Sequence, residues 1–296
     1  MGALAPQAAI NSTVSPAVTA KNREFDKNIR VLEFYLMSRS DANLRRWQRR
    51  YYAIAAAVAP VSPMLFLQGQ ITRWKVGLLP DAAGPREGVT LPDSPSTAES
   101  PASLYVLGES TVAGLGARDH ERALAGQFAK SLSSYIKQPV NWKVLGKNGV
   151  TARRTIDELL PHMPDEKFDF VLLGIGGNDV MKLSSPMTWR RDMLELIGLV
   201  RKRQPDAVIF ISNCPMIILS PVIPEPSKSL LWQLSRMHDE NIKDFTADLD
   251  RVIYYPQPVG VKIEGFFADG IHPSEQGYAD WAGAMVEYFA TRRDKW

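Results

Sequence analysis

Cysteine is almost missing from this 296-residue chain, where Cys214 stands alone. A single thiol excludes an internal disulfide framework and a cysteine-built zinc site. The compartment stays open, because a protein without disulfides can live on either side of a bacterial membrane. Histidine is scarce as well. His120, His162, His238 and His272 are the whole supply, so imidazole chemistry has few places to sit. An excess of one charge is also lacking: the net charge is +3, and much of the positive surplus lies in RRWQRR (45–50), so no nucleic-acid partner is indicated. Pro6 occupies the position where N-myristoylation needs a hydroxyl residue. No internal repeat is visible.

The chain has no unbroken apolar run of the ~20 residues that a membrane-crossing helix needs. Its one membrane candidate is YYAIAAAVAPVSPMLFL (51–67), seventeen residues without a charge, interrupted by Pro60 and Pro63. With arginines before it, this run reads as a signal anchor that would hold the rest of the chain outside the cytoplasm through residues 51–67. The alternative is a buried or interfacial helix in a cytoplasmic protein. No small-residue cleavage site follows, so insertion would mean retention.

What is present divides the chain. Residues 1–42 are polar and mixed and are expected to be poorly ordered. Residues 43–79 form the basic and apolar segment, a possible anchor. The stretch PDAAGPREGVTLPDSPSTAESPA (80–102) is rich in Pro, Ser and Gly and reads as a linker. From 103 to 296, short apolar runs alternate with helical periodicity, the mark of a parallel α/β domain. Five strands are predicted at 103–107, 141–145, 169–175, 207–212 and 251–255. Apolar stripes three or four residues apart predict helices through Leu124–Ile136, Trp189–Val200, Leu230–Phe245 and Tyr278–Phe289.

Every polar or glycine-rich cluster that is costly to fold follows one of those strands. GESTVAG comes after the first, GKNGVTARR (146–154) after the second, GGNDV (176–180) after the third, NCPM (213–216) after the fourth and FADGIHPSEQG (267–277) after the fifth. In an open parallel sheet, ligands bind beyond the carboxyl ends of the strands. Neither GESTVAGLG nor GIGGND has the spacing of a P-loop or of G-x-G-x-x-G, which disfavours nucleotide binding. Nucleophilic catalysis asks for a hydroxyl, a base, a group orienting the base, and oxyanion donors. Only His272 has a carboxylate at tight-turn spacing, Asp269, which can accept from Nδ1–H and leave Nε2 free. The same residues also read as an Asx-type turn before a helix capped by Ser274.

GES after the first strand, a glycine-containing turn after the second, GGND after the third and DGIHP near the end resemble, in that order, the sequence blocks of the SGNH hydrolases, also called GDSL esterases and lipases. The resemblance spans roughly residues 103–290. It implies a three-layer α/β/α sandwich around a flavodoxin-like, five-stranded parallel sheet, carrying an N-terminal extension. It further implies cleavage of an ester through an acyl-serine, with no metal or organic cofactor. By the same resemblance Ser110 is the nucleophile, His272 the base and Asp269 its orienting acid. The oxyanion donors are the Ser110 N–H, the Asn178 side chain and the N–H of Ala152 or Gly149. Glu109 departs from the family, which has aspartate there.

The substrate is expected to be a small-molecule or lipid ester. Met216 and Ile217, in the apolar loop 213–230, are the substrate-binding candidates, although that loop can equally pack against the N-terminal segment. Arg153 and Arg154 are candidates for attracting an anionic group. Acyl transfer to a sugar or lipid hydroxyl, and a non-catalytic carbohydrate- or lipid-binding module, are the alternative functions. Oligomeric state is not legible.

Overall fold

The computed structural model describes residues 42–77, 79–93, 100–260 and 263–296. The poorly ordered region expected at 1–42 thus lies, up to residue 41, outside the described residues. Helix α1 (Ala42–Val58) runs through a 3-10 turn (Ala59–Val61) into α2 (Ser62–Val76). After them come β1 (Glu87–Thr90), β2 (Ala102–Gly108), α3 (Leu124–Ile136), β3 (Val140–Gly146) and β4 (Phe170–Gly174). The chain continues through α4 (Pro186–Arg203), β5 (Val208–Ile211), α5 (Ser227–Thr246), β6 (Val252–Tyr254) and α6 (Glu275–Ala290).

All five predicted strands form, and they lie parallel in the order β3-β2-β4-β5-β6. That is the doubly wound order of flavodoxin-like sheets, whose chain reversal falls between β2 and β4. One face of the sheet presents Leu107, Leu173 and Ile209 to α4 and α5 through Trp189, Met193 and Phe245. The other presents Val106, Leu172 and Phe210 to α3 and α6 through Phe128, Tyr278 and Phe289. The result is the three-layer α/β/α sandwich.

The sheet has a sixth strand. Residues 87–90, inside the stretch expected to be a linker, pair antiparallel with β3 at its outer edge. Gly88 lies opposite Trp142, and its missing side chain leaves room for the indole, which a Cβ there would meet at 2.5 Å. A four-residue edge strand takes most of its energy from one neighbour, so the surrounding Pro/Ser composition hides it.

The carboxyl edge is built for close approach. Gly108, Gly146 and Gly174 end β2, β3 and β4 in register. A Cβ on Gly108 would come 2.1 Å from Gly174 O, and one on Gly146 would come 2.2 Å from Ala113 N. The row of glycines lets the turn 109–113 fold directly over the strand ends. The polar residues after β2 therefore sit in the reversal crevice, braced by hydrogen bonds from Glu109 N–H to Gly174 O and from the Val112 and Ala113 N–H groups to Glu109 O.

Candidate active site

Ser110 follows β2 directly and is nearly buried, at 7% exposure. His272 and Asp269 come from the long segment between β6 and α6, and that segment reaches back across the sheet. A Phe267–Pro273 bridge and the bond from Tyr278 Oη–H to Leu115 O hold it there. Gly116 lets the two loops touch, since a Cβ there would meet Pro273 O at 2.2 Å. His272 Nε2 stands 3.1 Å from Ser110 Oγ, and its Nδ1 stands 2.8 Å from Asp269 Oδ2.

Asp269 Oδ1 accepts from the N–H groups of Ile271 (2.8 Å) and His272 (2.7 Å). Burial would push this carboxyl up, but hydrogen bonds from the His272 ring and those two amides hold it below its ordinary value. The ionised carboxylate keeps the proton on Nδ1, which leaves Nε2 to accept from the serine hydroxyl. The helix-cap reading of DGIHPSEQG is met as well, because Ser274 Oγ caps α6 by accepting from Gly277 N–H at 3.0 Å.

Asn178 is the second residue of the short helix Gly177–Met181 after β4, beside the end of β2. Its Nδ2 donates to Glu109 Oε2 at 2.6 Å. An amide nitrogen carries two hydrogens, so one remains to point into the crevice. Glu109 is fully enclosed: Oε1 accepts from Gly177 N–H (2.7 Å) and Oε2 also from Asn178 N–H (2.8 Å). Burial outweighs these bonds and pushes its carboxyl up to about 7. Nothing in the sequence beyond the departure from aspartate pointed to this role.

The two options for the third donor separate. Ala152 is buried, and its N–H is given to Asp179 Oδ2 at 2.9 Å. Burial pushes the receiving Asp179 carboxyl up to about 6. Gly149, with φ +80°, lines the crevice together with Ser110, Asn178 and His272. Of the two arginines considered for an anionic group, Arg154 lines the crevice, and both are ion-paired. Arg153 is paired with Asp192 and Glu195, and Arg154 with Glu158.

Met216 and Ile217 both line the crevice, and Ile217 packs with Val180 and Ile223. Cys214 and His238 are out of play. Cys214 is buried, which pushes its thiol up. His238 is stacked on Trp189, with burial pushing its pKa down to about 3. Among the described residues no group of three or more His, Cys, Asp or Glu could hold a metal ion.

A sequence model of the GDSL-like lipase/acylhydrolase family matches residues 106–279, more than half of the chain. The chain belongs to this family. Membership in these SGNH hydrolases makes it a carboxylic ester hydrolase. Among solved structures the hydrolase is similar to the lipase Lip_vut3 from a goat rumen metagenome, with 15% identity over 65% of this chain and 97% of that one, at a TM-score of 0.51. Other similar structures are a phospholipase A1 from Streptomyces albidoflavus (15% identity, 64% and 99% covered, TM-score 0.47) and a family two carbohydrate esterase from Clostridium thermocellum (15%, 69% and 66%, 0.47). No curated protein matches the hydrolase by sequence.

Proposed function

We propose that the protein hydrolyses carboxylic esters through an acyl-serine intermediate formed on Ser110. The observation that supports this most is the hydrogen-bonded run Ser110–His272–Asp269, drawn from positions 162 residues apart. Ser110 Oγ attacks the ester carbonyl while Nε2 of His272 takes its proton, and Asp269 stabilises the imidazolium that results. The Ser110 N–H, the second Asn178 amide hydrogen and the Gly149 N–H receive the oxyanion. The imidazolium then protonates the departing alkoxide. Water enters, gives its proton to Nε2 and releases the acid, restoring Ser110. A fluorophosphonate probe is expected to label one peptide, the one holding Ser110. Labelling of any other serine, or of none, overturns the assignment.

The N-terminal helices set the location of this chemistry. Ala42–Val76 is long and apolar enough, by length and composition, to cross a membrane. It is nevertheless tied to the domain: Trp47 packs on Leu234 and Met237, Tyr51 Oη–H donates to Leu183 O at 2.8 Å, and Gln68 Nε2 donates to Glu225 O at 3.0 Å. On its outer side Met64, Leu67, Ile71 and Trp74 recur at helical spacing and are exposed, Trp74 by 82%. A helix apolar on both faces meets lipid or protein on both. This pair of helices rests on a membrane surface, with the exposed Arg45, Arg46 and Arg49 toward anionic headgroups. Co-sedimentation with phosphatidylglycerol vesicles is expected to fall at least tenfold in the double variant Leu67→Glu, Trp74→Glu. Unchanged sedimentation rules this location out.

A further inference from the structure

The inner side of the same helix raises a second question. Tyr51, Ala55, Val58, Ser62, Leu65, Gly69, Thr72 and Val76 fall at alternating steps of four and three along α1 and α2, and each lines the crevice that holds Ser110 and His272. That crevice encloses about 1780 Å³. Pockets for small ligands run to about 300–1,000 Å³. The wall facing the stripe comes from the loop after β5 and the start of α5, through Met216, Ile217, Leu230 and Leu234. The family match starts at residue 106, so the α1–α2 wall is an addition to the part of the chain that carries the catalytic blocks.

From this arrangement we infer that α2 is a substrate-binding element, and that the space between it and the start of α5 holds the long acyl chain of a lipid-sized ester. The inference rests on the ester-hydrolase reading for the placement of the carbonyl at Ser110. Several features favour an acyl chain as the occupant. The stripe offers mostly apolar or small side chains and few hydrogen-bond partners, which suits a flexible hydrocarbon. The space is continuous with the reactive serine, so a chain lying in it remains attached to the carbon under attack. Each methylene moved from water into such a wall strengthens binding roughly fourfold, so a dozen carbons outweigh one ester group in selecting the substrate.

Gly69 is the position that tests it. A Cβ there would meet nothing within 4 Å, and glycine is a poor helix former, so a larger residue enters the cleft without disturbing the fold. Gly69→Trp is made in the parent and in Ser110→Ala. In Ser110→Ala, cis-parinaric acid, a fluorescent eighteen-carbon fatty acid, is expected to bind saturably, and Gly69→Trp is expected to weaken it at least tenfold. In the parent, Gly69→Trp is expected to lower the ratio of p-nitrophenyl palmitate to p-nitrophenyl acetate turnover at least tenfold. Leu230→Trp, on the facing wall, supplies the same reading if thermal unfolding shows Gly69→Trp to be misfolded. No saturable probe binding, or equal binding with the tryptophan in place, overturns the inference. Probe binding that is sensitive to Gly69→Trp in a protein that turns over no ester upholds the cleft and overturns the chemistry instead.

Discussion

His272→Ala is expected to lower turnover of p-nitrophenyl acetate by roughly 10⁶-fold in kcat, and Ser110→Ala by a similar factor. The double variant is expected to be no slower than either single one. The reason is that, among the described residues, Nε2 of His272 is the base bonded to the hydroxyl, at 3.1 Å. Without it the serine is no nucleophile, and without the serine the base has nothing to activate, so the two losses are one loss. Asp269→Asn carries a sharper expectation. Oδ1 faces two N–H donors, from Ile271 and His272, so the asparagine must keep its carbonyl oxygen there and turn its NH₂ toward Nδ1. The ring then holds its proton on Nε2 and cannot take one from Ser110. A drop of roughly 10⁴-fold with an unchanged melting temperature is expected. Single-variant losses below tenfold, or losses that multiply in the double variant, would remove these residues from the mechanism.

The second large effect belongs to Glu109. Each of its three partners donates: the N–H groups of Gly177 and Asn178, and the Asn178 side chain. Glu109→Gln sets an NH₂ against at least one of these donors. The Asn178 amide then loses the group that aims it, and kcat is expected to fall about 10²–10³-fold, the cost of one oxyanion donor.

The same substitution has a pH signature. The folded carboxyl is raised by burial to about 7 from an ordinary 4.5. Between those values the folded state binds more protons than the unfolded state, so stability falls as pH rises from about 4.5 to 7. The whole effect is roughly 3 kcal/mol, at about 1.4 kcal/mol per unit. Urea unfolding of parent and Glu109→Gln, followed from pH 4.5 to 8, is expected to show the parent losing about that much relative to the variant. Asp179, raised by burial to about 6, adds a loss of the same sign to both proteins, and its charge is also one of the influences that raise Glu109. A difference that is flat with pH would show that Glu109 is ionised at no unusual cost.

The pH signature also shows what the site demands of the fold. Two buried carboxylates, Glu109 and Asp179, stand behind the crevice, one fixing Asn178 and the other holding the Ala152 amide. A buried carboxylate is expensive unless donors surround it. Here the donors are backbone N–H groups of the very turns that carry the reacting residues, so the cost is converted into rigidity at the site.

Much of the candidate site was legible in the residues. Asp269 and His272 lie three apart in one turn, and a carboxylate and an imidazole at that spacing meet through local geometry alone. Ser110 was legible because a buried strand running into polar side chains needs a reason. Glu109 was not, because its partners Gly177 and Asn178 lie 68 and 69 positions away and meet it only through the pairing of β2 with β4. That the Ala152 N–H is given to Asp179 was equally hidden. Any residue other than proline offers an N–H, and which one is free depends on where Asp179 sits. Edge strand β1 was masked by the composition around it, and the wall made by α1 and α2 by the resemblance of a cleft-lining stripe to a membrane anchor.

The sequence by itself determined the order of β2–β6 and α3–α6 along the chain, the parallel α/β class and the Asp269–His272 turn, since these follow from apolar periodicity and turn chemistry among residues within a few positions of one another. Only the tertiary structure decided that β1 closes the sheet edge, that Glu109 bonds Asn178, that Asp179 takes the Ala152 amide, and that α1 and α2 line the crevice that holds Ser110. Each of these turns on which distant groups desolvate one another, and a buried donor or acceptor takes its partner from whatever packing brings within 3 Å, at whatever distance along the chain.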